Sequence, residues 1–233
     1  MILHIIKQYK KSENLTESVR KKKNNWLVWN AENKIKENGY INDKVICVTN
    51  RHLCEKSLAR QVEIVCKFHP KAIILREKDL PEDEYMILAN EVLDICTKNG
   101  VECILHFYPN VAKKLKCNAI HLPLFKLREN RANLSEFKII GTSVHSVEEA
   151  IEAQNLGATY ISAGHIFATD CKKGVPPRGV DFLKKVCQSV TISVYAIGGI
   201  KLSSEQMNDI IDCGAKGGCI MSGMMKLKLE DME

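Results

Sequence analysis

The sequence predicts an α/β protein of the TIM (β/α)8 barrel type, with an N-terminal extension and a short last helix. Three observations lead there. Eight short apolar runs follow one another between residues 44 and 221. They are mostly continuous rather than alternating, as in strands buried on both faces. Amphipathic stretches separate them, and eight strand–helix units in succession close most naturally into a barrel.

Residues 1–43 precede the first run and form a basic extension; residues 44–233 form the barrel. Helices are expected over 15–22 and 30–37. Residues 1–44 hold ten Lys/Arg against five Asp/Glu, so most of the +6 net charge sits there. The cluster Arg20-Lys21-Lys22-Lys23 reads as a solvated helix face, with weak polyanion binding as the alternative. Through Trp26, Leu27, Val28 and Trp29 the extension is expected to cover barrel surface left bare at the other end, where only twelve residues follow Met221.

The first four runs are Val45-Ile46-Cys47-Val48, Ala72-Ile73-Ile74-Leu75, Glu102-Cys103-Ile104-Leu105 and Ala119-Ile120-His121-Leu122. The others are Lys138-Ile139-Ile140-Gly141, Tyr160-Ile161-Ser162-Ala163, residues 192–197 and Gly218-Cys219-Ile220-Met221. Between them, residues 81–100 start on a proline and stop at Asn99-Gly100, as helices do. Ser146-Val147-Glu148-Glu149 opens another helix as a capping box, ending at Asn155-Leu156-Gly157. Ser203 or Ser204 opens a third, which ends at Cys213-Gly214. Residues 123–136 offer a turn or two of helix at most.

Composition is that of a globular chain, 45% hydrophobic and 27% charged. No apolar run approaches the roughly 18 residues of a membrane span, and Lys7 interrupts the start before it can read as a secretion signal. Ten cysteines without a C-x-x-C pair, most in apolar segments, behave as small hydrophobes in a reducing cytoplasm. Clustered Cys/His spacing for zinc is missing.

In such barrels chemistry sits at the C-terminal ends of the strands. Those ends carry Arg76-Glu77-Lys78, His106, His121, Ser143, the long segment 163–179, Gly198-Gly199 and Met221-Ser222-Gly223. The glycines after strands seven and eight let backbone N–H groups approach an anion, so Gly198, Gly199, Met221 and Ser222 are phosphate-binding candidates; the plainer alternative is a tight turn. Arg76 and Lys78 leave one strand end on the same face and could clamp a phosphate or carboxylate, or else pair with Glu77 or Asp79. The segment 163–179 is too long for a plain connection. Lys172, Lys173 and Arg178 give it positive charge. His165, directly after a strand, is the candidate acid/base, with a structural role as the alternative. Cys171 could attack as a nucleophile but has no base beside it.

These residues carry a resemblance. Leu75-Arg76-Glu77-Lys78, Gly141-Thr142-Ser143-Val144-His145-Ser146, Thr169-Asp170-Cys171-Lys172-Lys173-Gly174, Ala196-Ile197-Gly198-Gly199 and Met221-Ser222-Gly223 resemble the thiamine-phosphate synthase/TenI superfamily, over residues 44–225. The resemblance implies a TIM barrel that binds a phosphorylated hydroxyethylthiazole. A thiamine-phosphate synthase joins a pyrimidine pyrophosphate to that thiazole phosphate with Mg²⁺. Its pattern places Asn-Asp after strand three and an Asp shortly after strand four. Here those slots read His106-Phe107 and His121-Leu122-Pro123-Leu124-Phe125-Lys126, without a carboxylate, and His165 replaces a proline.

The expectation is therefore a TenI-type thiazole tautomerase. His165 would be its catalytic acid/base, with Arg76, Lys78, Ser143, Thr169, Asp170, Cys171 and Lys172 on the substrate. That reaction needs neither a metal nor a redox cofactor. Thiamine-phosphate synthase and a non-catalytic, phosphate-sensing TenI-like regulator are the alternatives. The partner is a small thiazole phosphate, with no membrane or nucleic acid, and barrel relatives suggest a homodimer.

Overall fold

The computed structural model describes residues 42–232. The expected barrel is present: eight parallel strands close in chain order, and the last pairs with the first through Val45↔Gly218 and Ile46↔Cys219. Strands β1 (Val45–Val48), β2 (Ala72–Leu75), β3 (Cys103–His106) and β4 (Ala119–Pro123) make one half. Strands β5 (Ile139–Val144), β6 (Tyr160–Gly164), β7 (Ser193–Ile197) and β8 (Gly217–Ile220) make the other. Most of these strands are buried along their length, so the continuous apolar runs are the signature of a sheet covered on both sides.

Each strand is followed by a helix. In the first half these are α1 (Leu58–Lys67), α2 (Glu82–Lys98), α3 (Pro109–Lys114) and α4 (Leu124–Asn130). In the second they are α5 (Val147–Asn155), α6 (Gly179–Ser189), α7 (Ser204–Asp212) and α8 (Ser222–Met225). Caps fix several starts. Ser57, Ser146 and Ser203 accept from the N–H groups of Arg60, Glu149 and Gln206. The capping box at Ser146 is modified: Glu149 reaches back to the His145 N–H instead of that of Ser146. Helix α2 starts behind Pro81 with three acids in its first turn and Lys98 in its last, matching the helix dipole. The fourth helix has seven residues, as short as expected. Helix α3, opened by Pro109, is one the sequence reading does not single out.

The core has two layers. The larger lies between sheet and helices, where Tyr85 of α2 is fully buried. Its hydroxyl donates to Leu75 O (2.8 Å) and accepts from His106 N (2.8 Å), tying α2 to two strand ends. The smaller layer fills the barrel interior with Ile46, Ile74, Ile104, Tyr160 and Tyr195. Tyr160 leans across its neighbour strand. A Cβ on Gly141 would lie 2.2 Å from the Tyr160 Cζ, so β5 has no side chain there to make room for the ring.

The segment after β8 is tied to α1. Gln61 of α1, itself buried, donates from Nε2 to Met224 O (2.8 Å) and Leu227 O (3.0 Å). Met224, Met225 and Leu227 are buried. The expected cover through Trp26, Leu27, Val28 and Trp29 of the extension lies outside the described residues. Among the described residues no helix is long and apolar enough to cross a membrane. The nine cysteines whose side chains are described are free, and burial pushes the Cys219 thiol up to about 12, the behaviour of an inert apolar group.

Candidate active site

The C-terminal mouth of the barrel divides into two sectors. The first is built on β1 to β4. Arg76 and Lys78 follow β2, half-buried and exposed, with Glu77 buried between them. The acids of this strand end are held by Arg51, a residue the sequence reading missed. Its Nη1 reaches Glu77 Oε2 (3.1 Å) and Asp79 Oδ1 (2.9 Å), and its Nη2 reaches Asp79 Oδ2 (2.6 Å). The Arg51 N–H and the Thr49 hydroxyl also donate to Glu77, at 3.1 and 2.7 Å. Arg51 beside Asp79, with His52, holds that carboxyl well below its usual range. Among the described residues no ion pair takes Arg76 or Lys78.

Behind them lies a column of flat rings. His106 and His121 are register partners on β3 and β4, both buried, with centroids 5.8 Å apart and planes at 18°. Phe107 stacks on His106 at 6.1 Å. Lys126 of α4 places Nζ 4.5 Å from the Phe107 centroid. Burial first, then the charges of His121, Arg76 and Lys78, pushes the His106 pKa down. Burial and Arg76 push His121 down to about 3. Both imidazoles are thus uncharged near neutral pH.

His121 also heads a polar relay. Its Nδ1 lies 2.8 Å from the Tyr160 hydroxyl, its Nε2 3.0 Å from Ser143 Oγ, and Ser143 lies 3.0 Å from Ser162 Oγ. Burial raises the Tyr160 pKa, so the phenol keeps its proton. The Tyr160 and Ser143 hydroxyls thus bracket the two ring nitrogens of His121, one accepting from its N–H and the other donating to its bare nitrogen. Ser143, expected on the substrate, therefore also belongs to the floor. His106 has no such partner: its Nδ1 is buried without a hydrogen bond.

The second sector is built on β6 to β8. His165 follows β6 and is buried, 5% exposed, with Nε2 3.3 Å from Val175 O of its own loop. The loop is pinned at both ends, Arg178 N to His165 O (2.9 Å) and Gly179 N to Ile166 O (3.1 Å). His145 fixes the preceding carbonyl, its Nδ1–H donating to Gly164 O at 2.8 Å. Gly198 and Gly199 have φ of 94° and 71°, and side chains there would strike His165 Cβ (2.2 Å) and Ala168 O (2.5 Å). Those glycines interlock with the His165 loop, a packing reason the sequence reading did not foresee. Thr169 is half-buried; Asp170 and Lys172 are exposed on a 3-10 turn, Asp170–Lys172. The Cys171 side chain is outside the described set. Met221 is half-buried and Ser222 exposed at the end of β8.

A divalent ion does not fit this mouth. Mg²⁺ wants several oxygen ligands. The slots after β3 and β4 offer His106, Phe107, Leu124 and Phe125, while Glu77 and Asp79 are occupied by Arg51 and its neighbours. Among the described residues no group of three His, Cys, Asp or Glu could hold a metal.

A closed parallel barrel with cations, uncharged imidazoles and glycine turns around one mouth defines a (β/α)8-barrel protein with a basic C-terminal end. More narrowly, the chain belongs to the thiamine monophosphate synthase family, whose model matches residues 45–224. A thiamine-phosphate synthase of Clostridium novyi (strain NT) is 31% identical over 190 residues, 80% of this chain and 92% of the relative. That of Clostridium botulinum (strain 657 / Type Ba4) is 33% identical over 189 residues, 79% and 91% of the two chains. The solved thiamine phosphate pyrophosphorylase of Pyrococcus furiosus superposes with a TM-score of 0.67 at 28% identity, covering 79% of this chain and 88% of that one.

These findings correct the expected activity. The relatives are named as synthases, not as thiazole tautomerases. The tautomerase reading leaned on His165 and on the missing carboxylates. Neither outweighs relatedness spread along the whole barrel.

Proposed function

We propose that this protein is a thiamine-phosphate synthase-type transferase, joining a pyrimidinylmethyl pyrophosphate to a hydroxyethylthiazole phosphate. The observation that carries this reading is 31–33% identity to synthases over more than nine-tenths of their length. The divided mouth supports it, since two anionic substrates need two places. Gly198, Gly199, Met221 and Ser222 would hold the thiazole phosphate through backbone and hydroxyl donors. Arg76 and Lys78 would hold the pyrophosphate, with Lys172 brought in by its loop. Ser143 would meet the pyrimidine from the floor, and Thr169, Asp170 and Cys171 would border it from the loop.

In this reaction the C–O bond of the pyrimidinylmethyl carbon breaks and its electron pair leaves on pyrophosphate. The lone pair of the thiazole nitrogen forms the new C–N bond, and the ring becomes cationic. Atoms and charge balance without a proton transfer. The acid/base role of His165 belonged to the tautomerase and falls with it. His165 instead latches the loop over the Gly198-Gly199 turn. The protein contributes alignment of nitrogen, carbon and leaving oxygen, and cations where negative charge accumulates.

The test is direct. The purified full chain, given both phosphorylated substrates, should release thiamine phosphate and pyrophosphate in equal amounts, saturably in each substrate. No product above the uncatalysed background, at enzyme concentrations matching the substrates, would overturn the assignment.

A further inference from the structure

We propose that Lys126 is a pyrophosphate-binding residue, and that this mouth binds pyrophosphate through side-chain cations alone, without a divalent metal. The inference rests on the proposed transferase reading for its choice of ligand and concerns the same mouth. It starts from the column of rings. Phe107 is held by its N–H to His121 O (3.1 Å), stacks on His106, and carries the Lys126 ammonium over its face at 4.5 Å. Cation–π contact of this kind fixes a lysine without neutralising it. Lys126 thus stands beside the slot where a metal-binding carboxylate would have to be, and it brings a positive charge itself.

The surrounding charges agree. Arg76 and Lys78 lie close enough to His106 to disfavour its protonation, so three cations meet one aromatic column. The local acids are already satisfied: Glu77 takes Thr49 and Arg51, and Asp79 takes Arg51 and His52. No ion pair among the described residues consumes Arg76, Lys78 or Lys126. A separate observation points to a ligand. The His106 imidazole is 6% exposed, lies two residues beyond the interior-packed Ile104 on β3, and its Nδ1 is buried with no hydrogen-bond partner among the described residues. A buried polar atom left open costs stability unless something occupies it. An anion of high charge density, bearing several oxygens, suits three cations.

The experiment is calorimetric titration of inorganic pyrophosphate into the full chain, once in EDTA and once in excess Mg²⁺. The dissociation constant in EDTA should be as tight as or tighter than in Mg²⁺, because the magnesium complex presents less charge to the cations. Lys126→Met should weaken binding about tenfold, the scale of one lost charge contact, and Lys126→Arg should restore most of it. If Lys126→Met does not fold, Lys126→Gln takes its place. Binding that appears only with Mg²⁺, or is unchanged in Lys126→Met, would overturn the inference. The outcomes separate from those of the transferase assay. Metal-free pyrophosphate binding without thiamine phosphate formation keeps this inference and removes the other; thiamine phosphate formation that strictly needs Mg²⁺ does the reverse.

Discussion

The two sectors of the mouth solve different problems with different means. Around β6 to β8 the backbone does the shaping: glycines with positive φ interlock with a pinned loop, and side chains are few. Around β1 to β4 the side chains do it, through stacked rings, a buried carboxylate held by Arg51 and three cations that no ion pair among the described residues takes. Backbone donors can be placed accurately but add little net charge. Side chains supply charge but need a rigid floor to aim them. On the proposed transferase reading, the ligand with one phosphate goes to the β6–β8 side and the more highly charged one to the β1–β4 side.

Breaking the floor should have the largest effect. Gly141→Val would drive a side chain into the Tyr160 ring, where even a Cβ comes within 2.2 Å of Cζ. The penalty should be about 3 kcal/mol or more, the upper end of overpacking, read by urea denaturation. Arg51→Ala strips the buried Glu77 of its cation while leaving the Thr49 and backbone donors. A loss of ~3 kcal/mol is expected by the same measurement, with no comparable loss for Lys78→Ala, which makes no ion pair among the described residues. Arg76→Ala should leave stability nearly intact and lower kcat/KM for thiamine phosphate formation about a hundredfold, about 2.7 kcal/mol of transition-state stabilisation.

Two finer tests probe the imidazole column. Burial pushes His121 down to about 3 in the fold against the ordinary 6.5 of an imidazole, so below 6.5 the unfolded chain takes up a proton that the folded one refuses. Its contribution to unfolding free energy should therefore fall by about 1.4 kcal/mol per pH unit from 6.5 towards 3. His121→Gln should flatten that slope in denaturation curves at pH 7, 6 and 5. Ser143→Ala removes one link of the relay to Ser162 and should cost about 1 kcal/mol, the smallest effect of the series.

Much of the barrel was legible because burial on both faces leaves a mark in each strand separately. Continuous runs such as Ala72-Ile73-Ile74-Leu75 need no knowledge of their neighbours. The glycines after strands seven and eight and the long His165 loop were legible for the same reason, as local departures from ordinary turns. What could not be read depends on register. Gly141 faces Tyr160 only because β5 and β6 align that way, and Arg51 finds Glu77 across 26 residues of chain. Phe107 and Lys126 come together from the loop after β3 and from helix α4. The signal for Arg51 was present in one respect: it lies just past β1, where barrel chemistry gathers, but its charge alone did not reveal which acid it meets. The error over activity had a related origin. Two motif positions were weighed above a likeness diluted over the whole chain, and a single imidazole says less about chemistry than its surroundings do.

The Gln61 clasp has a practical side. One amide on α1 grips the carbonyls of Met224 and Leu227 just past β8, so the hoop of eight staves is buckled by a side chain far away in sequence. Gln61→Leu should loosen the tail first, exposing residues 222–232 to proteases while the remaining strands stay shut.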